Sequence, residues 1–244
     1  MFLEIIGLVV FVVFAIMFAI FWFDFKSGNG KLPEAFVQAK KNGTIAPKLI
    51  RVFKSYPDKQ RFMLFWLQMQ RIQACKLDGD LAELGVYKGD TAQILHLMAP
   101  EKRIHLFDTF TGFDEADLIN EKGEAATYTP QHFADTSLEK VKVKLGQSEK
   151  IIFYPGKFSE QCVKASKIKF SFVSIDVDLA QPTSEGLSFF YERLLPGGVI
   201  IVHDYNPKWP ALMEAVNKFV KQIPENPVLI PDKDTSLVIV KNNS

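Results

Sequence analysis

The sequence predicts an α/β protein with a mostly parallel sheet, an antiparallel strand at its C-terminal edge and an N-terminal transmembrane helix. Three observations support this fold class. Short apolar segments alternate with helical segments between residues 81 and 222, two more apolar segments joined by a polar turn follow, and uncharged residues fill positions 5 to 23. Alternating strands and helices build right-handed βαβ units, whose parallel sheet is covered on both faces.

The N-terminal segment is long enough to cross a membrane. Nineteen residues from Ile5 to Phe23 carry no charge, and as a helix they span roughly 28 Å, close to the thickness of the hydrocarbon layer. Trp22 suits an interfacial position. The alternatives are a buried core helix or a cleaved signal peptide, but a signal peptide normally has a basic start, and here only Glu4 is charged. We therefore predict a retained membrane anchor.

The cations after this segment predict its orientation and the division of the chain. No lysine or arginine precedes the segment, whereas several follow it closely, among them Lys26, Lys31, Lys40, Lys41, Lys48 and Arg51. The positive-inside rule then places the body of a single-pass membrane protein in the cytoplasm. We assign residues 1–25 to the anchor, 26–57 to a linker and basic juxtamembrane segment, and 58–244 to the globular domain.

The globular domain is predicted to begin with a helix over residues 59–76, because apolar side chains recur there at helical spacing. The strands and helices that follow are predicted at these positions: strands over 81–86, 103–107, 151–154, 169–177 and 198–202, helices over 90–98, 183–195 and 210–222, and a final hairpin with strands over 227–230 and 236–240. Lysine and arginine number 29 against 28 acids, so no basic field indicates a nucleic-acid partner.

The segment DLAELGVYKGDTA, after the first predicted strand, has the spacing E-x-G-x-x-x-G from Glu83 through Gly85 to Gly89. Gly85 allows a close approach of backbone to ligand, and Gly89 begins the next helix. Asp108, at the end of the second strand, is placed to accept hydrogen bonds from the hydroxyls of a ribose. A dinucleotide site normally keeps G-x-G-x-x-G, so the pattern favours S-adenosylmethionine over NAD; an ordinary strand–helix turn is the alternative.

A second group of polar residues follows the next two strands of the predicted sheet. Asp176 and Asp178 end one strand, and His203 and Asp204 end the next, so all four meet at the same edge of the sheet as the glycine loop. Clustered acids are costly unless a cation or hydrogen bonds neutralise them, and Mg²⁺ prefers oxygen ligands. A solvated strand end together with a helix cap is the alternative.

Four motifs in order, ELGVYKGDTA, HLFDTFTGF, SIDVDLAQPTSEGL and LLPGGVIIVHDYN, resemble the TylF-type macrocin O-methyltransferases over residues 58–222. The resemblance implies a seven-stranded Rossmann-like class I methyltransferase fold, S-adenosylmethionine as donor and a divalent metal, usually Mg²⁺. Asp176 and the His203–Asp204 pair match the metal-binding positions. His203 either binds the ion or, as we prefer, hydrogen-bonds a ligating carboxylate, because adjacent residues at a strand end tend to point in opposite directions. The sequence departs from the family at His203, where a carboxylate is usual, and at Ala180 and Pro182.

Two residues are candidates for the general base. Asp178 matches the proposed base of the family, and because residues two apart on a strand share a face, Asp176 and Asp178 are expected to face the same bound hydroxyl. His132, in the polar loop GEAATYTPQHFAD, competes because the pKa of histidine lies near neutrality. Asp178 is the preferred base, since a histidine in an exposed loop commonly has no catalytic role.

The expected function is metal-assisted methylation of a hydroxyl on a sugar, either on a small molecule or on a glycosylated or lipid-linked acceptor that the anchor brings within reach. The alternatives are a non-catalytic, membrane-anchored nucleoside-binding module and, less favoured, an NAD-dependent oxidoreductase. The sequence leaves a homo-oligomer open.

Overall fold

The computed structural model describes residues 2–26 and 32–242. The chain divides into two compact units, Met1–Ala46 and Pro47–Ser244. Part of the predicted linker, residues 27–31, lies outside the described residues. The globular unit thus begins earlier than residue 58, the start predicted from the sequence.

The first unit contains two helices, α1 (Phe2–Lys26) and α2 (Glu34–Lys41). In α1, Ile5–Trp22 has a mean hydropathy of 3.0, and none of its residues is buried. Length and composition make α1 a candidate membrane span, a property that it shares with signal sequences. α2 falls within the segment that the sequence analysis interpreted as a linker.

The second unit is built on a mixed sheet that has seven strands among the described residues, in the order β3-β2-β1-β4-β5-β7-β6. Neighbouring strands from β3 to β5 are parallel, and β7 is antiparallel to both β5 and β6. The antiparallel strand β7 is therefore one position inside the edge, and β6 forms the edge itself. The strands are β1 (Asp80–Leu84), β2 (Ile104–Asp108), β3 (Ile151–Pro155), β4 (Phe170–Ile175), β5 (Leu194–Val202), β6 (Val228–Ile230) and β7 (Ser236–Val240).

Helices cover both faces of this sheet. They are α3 (Pro47–Ser55), α4 (Lys59–Ala74), α5 (Asp90–Met98), α6 (Leu138–Leu145), α7 (Phe158–Gln161), α8 (Ala180–Arg193) and α9 (Pro210–Val220). The central strand β4 is buried along its whole length. Phe172 meets Phe65 of α4 on one face, and Phe170 meets Phe190 of α8 on the other. A register shift between Phe170 and Phe172 puts these two side chains on opposite faces.

Several elements differ from the sequence prediction, and for three of them the local cause is clear. β4 ends at Ile175, two residues before the predicted end, because the chain turns there and Asp178 has a positive φ of 58°. α8 begins at Ala180 rather than residue 183, since Pro182 is tolerated in a first turn. α6 was not predicted, although Ser137 caps its start by accepting a hydrogen bond from the Lys140 N–H.

Candidate active site

A cavity of about 390 Å³ opens at the carboxyl ends of the parallel strands. Its walls come from the loop after β1 (residues 83–88), the end of β2 (residues 107–109), the turn after β4 (residues 176–179) and Asp204 after β5. Ligands of open α/β sheets bind at this edge. The two groups of residues selected from the sequence therefore line one cavity, with Gly89 and His203 outside its described lining.

The two glycines of the loop after β1, Gly85 and Gly89, are required by the fold itself. Gly85 has φ +90°, and a Cβ there would lie 1.8 Å from the carbonyl oxygen of Asp176. The close approach predicted for Gly85 is thus an approach to the chain after β4, although Gly85 also lines the cavity. Gly89, with φ +75°, is the N-cap of α5 and would clash with Val141 if it carried a Cβ.

Asp108 ties this loop to the end of β2. One carboxylate oxygen accepts hydrogen bonds from the N–H groups of Val86 (2.6 Å) and Tyr87 (2.8 Å), and the other accepts from Phe110 N–H at 2.6 Å. Charge-assisted bonds of this length are strong. The carboxylate therefore shapes the loop, and a ribose would share it with these backbone groups. A carboxylate has about four acceptor positions, so these three bonds leave one, on Oδ1, for a ligand hydroxyl.

Glu83 is a buried carboxyl group in the cavity wall. It is 2% exposed, and its Oε2 has no hydrogen-bond partner among the described residues. Burial, and then the nearby charges of Asp176 and Asp108, raise the pKa of Glu83 well above its ordinary value. A neutral carboxyl with an unpaired oxygen is costly in a protein interior. Glu83 lines the cavity, where a polar ligand within reach would satisfy this oxygen.

Three acids form the opposite part of the wall. Burial, followed by the charge of Asp176, raises the pKa of Asp178 to about 7 and that of Asp204 to about 10. Burial also opposes ionisation of Asp176, but the positive charge of Arg61 and a hydrogen bond from Asp204 hold its pKa below the ordinary value. Asp204 thus carries a proton at neutral pH and Asp176 is charged. Asp178, whose pKa is about 7, is partly ionised at neutral pH.

Arg61, which the sequence analysis did not select, lies next to these acids. Its Nη1 is 3.3 Å from Oδ2 of Asp176, and its Nε is 3.3 Å from Oδ2 of Asp232. Although burial lowers the pKa of Arg61, Asp176 and other nearby acids raise it above the ordinary value. The sequence holds no local signal for this contact, because Arg61 and Asp176 come together only when α4 packs on the sheet.

His203 does not join the acids. Its ring is buried, with Nε2 2.9 Å from Ser174 Oγ and Nδ1 2.8 Å from Ser236 Oγ. Burial lowers the pKa of His203 to about 3, so the ring is neutral. Both ring nitrogens thus contact serine hydroxyls, so neither is free to bind a metal ion in this arrangement. Its expected contact with a carboxylate is also replaced by these hydroxyls.

The remaining residues do not fit the predicted magnesium site. Without His203, only two of the three expected ligands, Asp176 and Asp204, face the cavity, and one oxygen of Asp176 is already paired with Arg61. Among residues 2–26 and 32–242, no group of three or more acidic, histidine or cysteine side chains has an arrangement that could hold a metal ion. The positive charge beside Asp176 is the guanidinium.

The two candidate bases occupy different places. Asp178 lines the cavity. It lies in the turn after β4, where its φ is positive, so it does not share a strand face with Asp176. This turn brings its carboxyl group beside that of Asp204. His132 is exposed, outside the described lining, and its Nδ1 accepts a hydrogen bond from Thr129 N–H at 2.9 Å. The geometry therefore places Asp178, and not His132, beside the cavity.

Aromatic side chains complete the cavity near Asp178. Phe113 and Tyr128 stack with their ring centres 5.4 Å apart, and the indole N–H of Trp209 donates to the Tyr128 hydroxyl at 3.3 Å. Burial, and then the charge of Asp178, raise the pKa of Tyr128 to about 12. The sequence analysis missed this wall, although Tyr128 and Phe133 stand out in the polar loop that it selected for His132.

Comparison with known proteins identifies the family of this chain. The model of the macrocin O-methyltransferase family (TylF) matches residues 36–232, and this match covers most of the chain. The protein belongs to this family. The match also begins within α2, and thus before residue 58, where the resemblance was predicted to begin.

Two curated relatives are O-methyltransferases, and the name of the first includes a rhamnosyl group in its substrate. The 8-demethyl-8-(2,3-dimethoxy-alpha-L-rhamnosyl)-tetracenomycin-C 4'-O-methyltransferase of Streptomyces olivaceus is 24% identical over 62% of this chain and 65% of its own length. The mycinamicin III 3''-O-methyltransferase of Micromonospora griseorubida is 25% identical over 68% of this chain and 72% of its own. The chain thus spans just under two thirds of the first enzyme.

The solved structure of the O-methyltransferase NovP has the same fold. It is 20% identical to this chain, with a TM-score of 0.67 over 76% of this chain and 81% of NovP. The globular unit is therefore a class I methyltransferase fold, as the four motifs predicted.

Proposed function

We propose that this family member transfers the methyl group of S-adenosylmethionine to a hydroxyl of a sugar. One observation carries the proposal: a single cavity joins the loop held by Asp108, with its unpaired Glu83 carboxyl, to a wall that holds Asp178. The first part suits the donor, and the second suits a hydroxyl that must lose a proton. Family membership and the two sugar-methylating relatives support the same reaction.

The donor, when bound, supplies an electrophilic methyl group on sulfonium sulfur. The acceptor oxygen forms the new carbon–oxygen bond while the sulfur–methyl bond breaks, and the hydroxyl proton passes to the Asp178 carboxylate. A base whose pKa is about 7 is matched to neutral pH. Most of the rate should come from alignment of the reacting atoms, which rigid walls provide.

The aromatic wall favours a sugar as acceptor. Phe113 and Tyr128 offer a flat apolar surface, and the Tyr128 hydroxyl offers a polar contact at its edge. Cavities of this kind combine aromatic faces with a few polar groups that fix the orientation of a ligand. We include lipid-linked saccharides in the proposed acceptor class, since α1 would hold the protein at a membrane. Magnesium has no part in this proposal, because the residues do not fit it.

Binding experiments separate this function from the alternatives. Calorimetry on the full chain in detergent should show saturable binding of S-adenosylmethionine and none of NAD. Asp108→Ala should weaken donor binding by about 1.5–3 kcal/mol, the range for hydrogen bonds to a charged group. Binding of NAD instead, or unchanged donor affinity in a folded Asp108→Ala protein, would contradict the donor assignment. Donor binding without transfer to any glycoside would favour a non-catalytic binding module.

A further inference from the structure

The position of Arg61 is fixed before any ligand binds. The residue lies in the first turn of α4, where Asp58 caps the helix and accepts a hydrogen bond from Arg61 N–H at 2.9 Å. Asp58 Oδ2 is also 3.7 Å from Arg61 Nε. The side chain is 12% exposed, so solvent screens its charge far less than that of a surface arginine.

The guanidinium contacts three different groups. Nη1 meets Asp176 Oδ2 at 3.3 Å, Nε meets Asp232 Oδ2 at 3.3 Å, and Nη2 donates to the carbonyl of Lys233 at 2.9 Å. A planar, forked guanidinium can serve several acceptors at once, whereas a lysine ammonium acts as a point charge. The contacts on Asp232 and Lys233 hold the group so that the third reaches the cavity wall.

A chain of hydrogen bonds explains why Asp232 stays in place. Ser236 donates from both N–H (2.7 Å) and Oγ (2.6 Å) to the Asp232 carboxylate. Because the Ser236 hydroxyl proton is used there, Ser236 Oγ accepts from His203 Nδ1–H, and His203 Nε2 accepts from Ser174. The histidine that replaces the family carboxylate therefore belongs to the support of Arg61.

This support leaves little room for a metal ion at Asp176. A magnesium ion would lie about 2.0–2.1 Å from its carboxylate ligand. Here Arg61 Nη1 is 3.3 Å from Asp176 Oδ2, so the ion and the guanidinium would share one carboxylate as close like charges. His203, at a position where the family resemblance implies a metal ligand, is bonded to serines and belongs to the network that holds Arg61.

We propose that Arg61 is a positioning residue. Through its contact with Asp176 it supplies a fixed positive charge at the place where the family resemblance implies a divalent metal ion. The inference rests on the proposed function, because Asp176 lies in the wall where the acceptor hydroxyl would bind. Arg61 keeps Asp176 oriented toward the cavity beside Asp178 and Asp204. Methyl transfer by this protein should then need no divalent metal.

Two measurements on the full chain in detergent test this inference. Methyl transfer to a glycoside should proceed at the same rate in excess chelator and in Mg²⁺. Separately, titration with Mn²⁺ followed by electron paramagnetic resonance should show no saturable ion site. Loss of activity in chelator that Mg²⁺ restores, or one Mn²⁺ ion bound per chain in a manner that Asp176→Asn abolishes, would overturn the inference. The Mn²⁺ titration stands even if no methyl transfer is found, which keeps failure of the inference distinct from failure of the proposed function.

Variants of Arg61 give the complementary test. Arg61→Gln should lower kcat by about 100-fold, the cost of misplacing a reacting group, with donor affinity unchanged. Arg61→Lys should lose less, because it keeps the charge without the fork. Arg51→Gln, at an exposed arginine of α3, is the matched control and should behave as the wild type. A folded Arg61→Gln protein with wild-type kcat would refute the role of Arg61.

Discussion

At the scale of single residues, the three aspartates of the site have different pKa values because their surroundings differ. Asp176 lies beside Arg61 and stays charged, whereas burial and the charge of Asp176 raise the pKa of Asp204 to about 10 and that of Asp178 to about 7. Chemically identical side chains thus differ in protonation at neutral pH, which is a common feature of active sites.

The first prediction concerns the pH dependence of methyl transfer. A base must be ionised to accept a proton, so kcat should rise with pH and level off above about 7, following the raised pKa of Asp178. Asp178→Asn should lower kcat by about 100-fold to 10,000-fold and remove this rise, whereas His132→Gln should change neither. An unchanged pH profile in the Asp178→Asn protein would show that another group is the base.

The second prediction concerns stability and Asp204. Its folded-state pKa of about 10 is above the ordinary value of 3.8, so over that interval the folded state holds a proton that the unfolded state has lost. Stability must then fall as pH rises between these values. Asp204→Asn has no such proton, and its Tm should fall less than that of the wild type between about pH 6 and 9. Glu214→Gln, at a side chain that is 75% exposed, serves as the control; equal Tm losses in all three proteins would contradict the raised pKa.

At the scale of elements, the loop after β1 is shaped by its contacts with β2 and with the chain after β4. Asp108 holds its backbone N–H groups, and Gly85 passes beside the Asp176 carbonyl. The loop that suits the donor and the turn that carries Asp176 therefore form one packed unit.

A third prediction tests this packing. Gly85→Ala would place a methyl group 1.8 Å from the Asp176 carbonyl oxygen in addition to straining a φ of +90°. Gly146→Ala adds strain alone, because φ is +85° but nothing lies within 4 Å of the new Cβ. The control should lose about 1–2 kcal/mol of stability, and Gly85→Ala should lose more and bind S-adenosylmethionine poorly. Equal losses in urea unfolding, with donor affinity intact, would mean that the close approach has no role.

The elements show what a sequence can and cannot specify. The apolar segments predicted which stretches of the chain form strands, because each pattern is local. The ends of α6 also carry local signals, Ser137 as N-cap and Gly146 as C-cap. By contrast, the Arg61–Asp176 pair and the orientation of His203 depend on how α4 packs on the sheet. Residue type suggested a metal ligand at His203, and only the fold shows two serines on its ring.

At the scale of the whole molecule, the family match and the N-terminal helix concern different parts of the chain. The family model covers residues 36–232, whereas α1 precedes that match and is a candidate span by length and composition. Attachment to a membrane, with the globular unit in the cytoplasm, remains a prediction from the uncharged segment and the lysines after it.

The fourth prediction tests that attachment. Full-length protein should stay in the membrane fraction through carbonate washing, and protease added outside intact cells should leave the globular unit uncut. Replacing Val9, Val13 and Ile16 of α1 with lysine should release the protein, since charges at mid-membrane are costly. Recovery of the unaltered chain as soluble protein, or a mature N-terminus beyond residue 25, would contradict the anchor.

The most direct test of the central claim is to locate the transferred methyl group. The full chain is incubated with S-adenosylmethionine carrying a ¹³C-labelled methyl and with a panel of glycosides and lipid-linked saccharides, and the recovered sugars are analysed by NMR. The account predicts a labelled methyl ether on a sugar ring oxygen, formed by the wild type and almost absent with Asp178→Asn. Label on nitrogen or carboxylate, or no transfer to any sugar by protein that binds the donor, would contradict it.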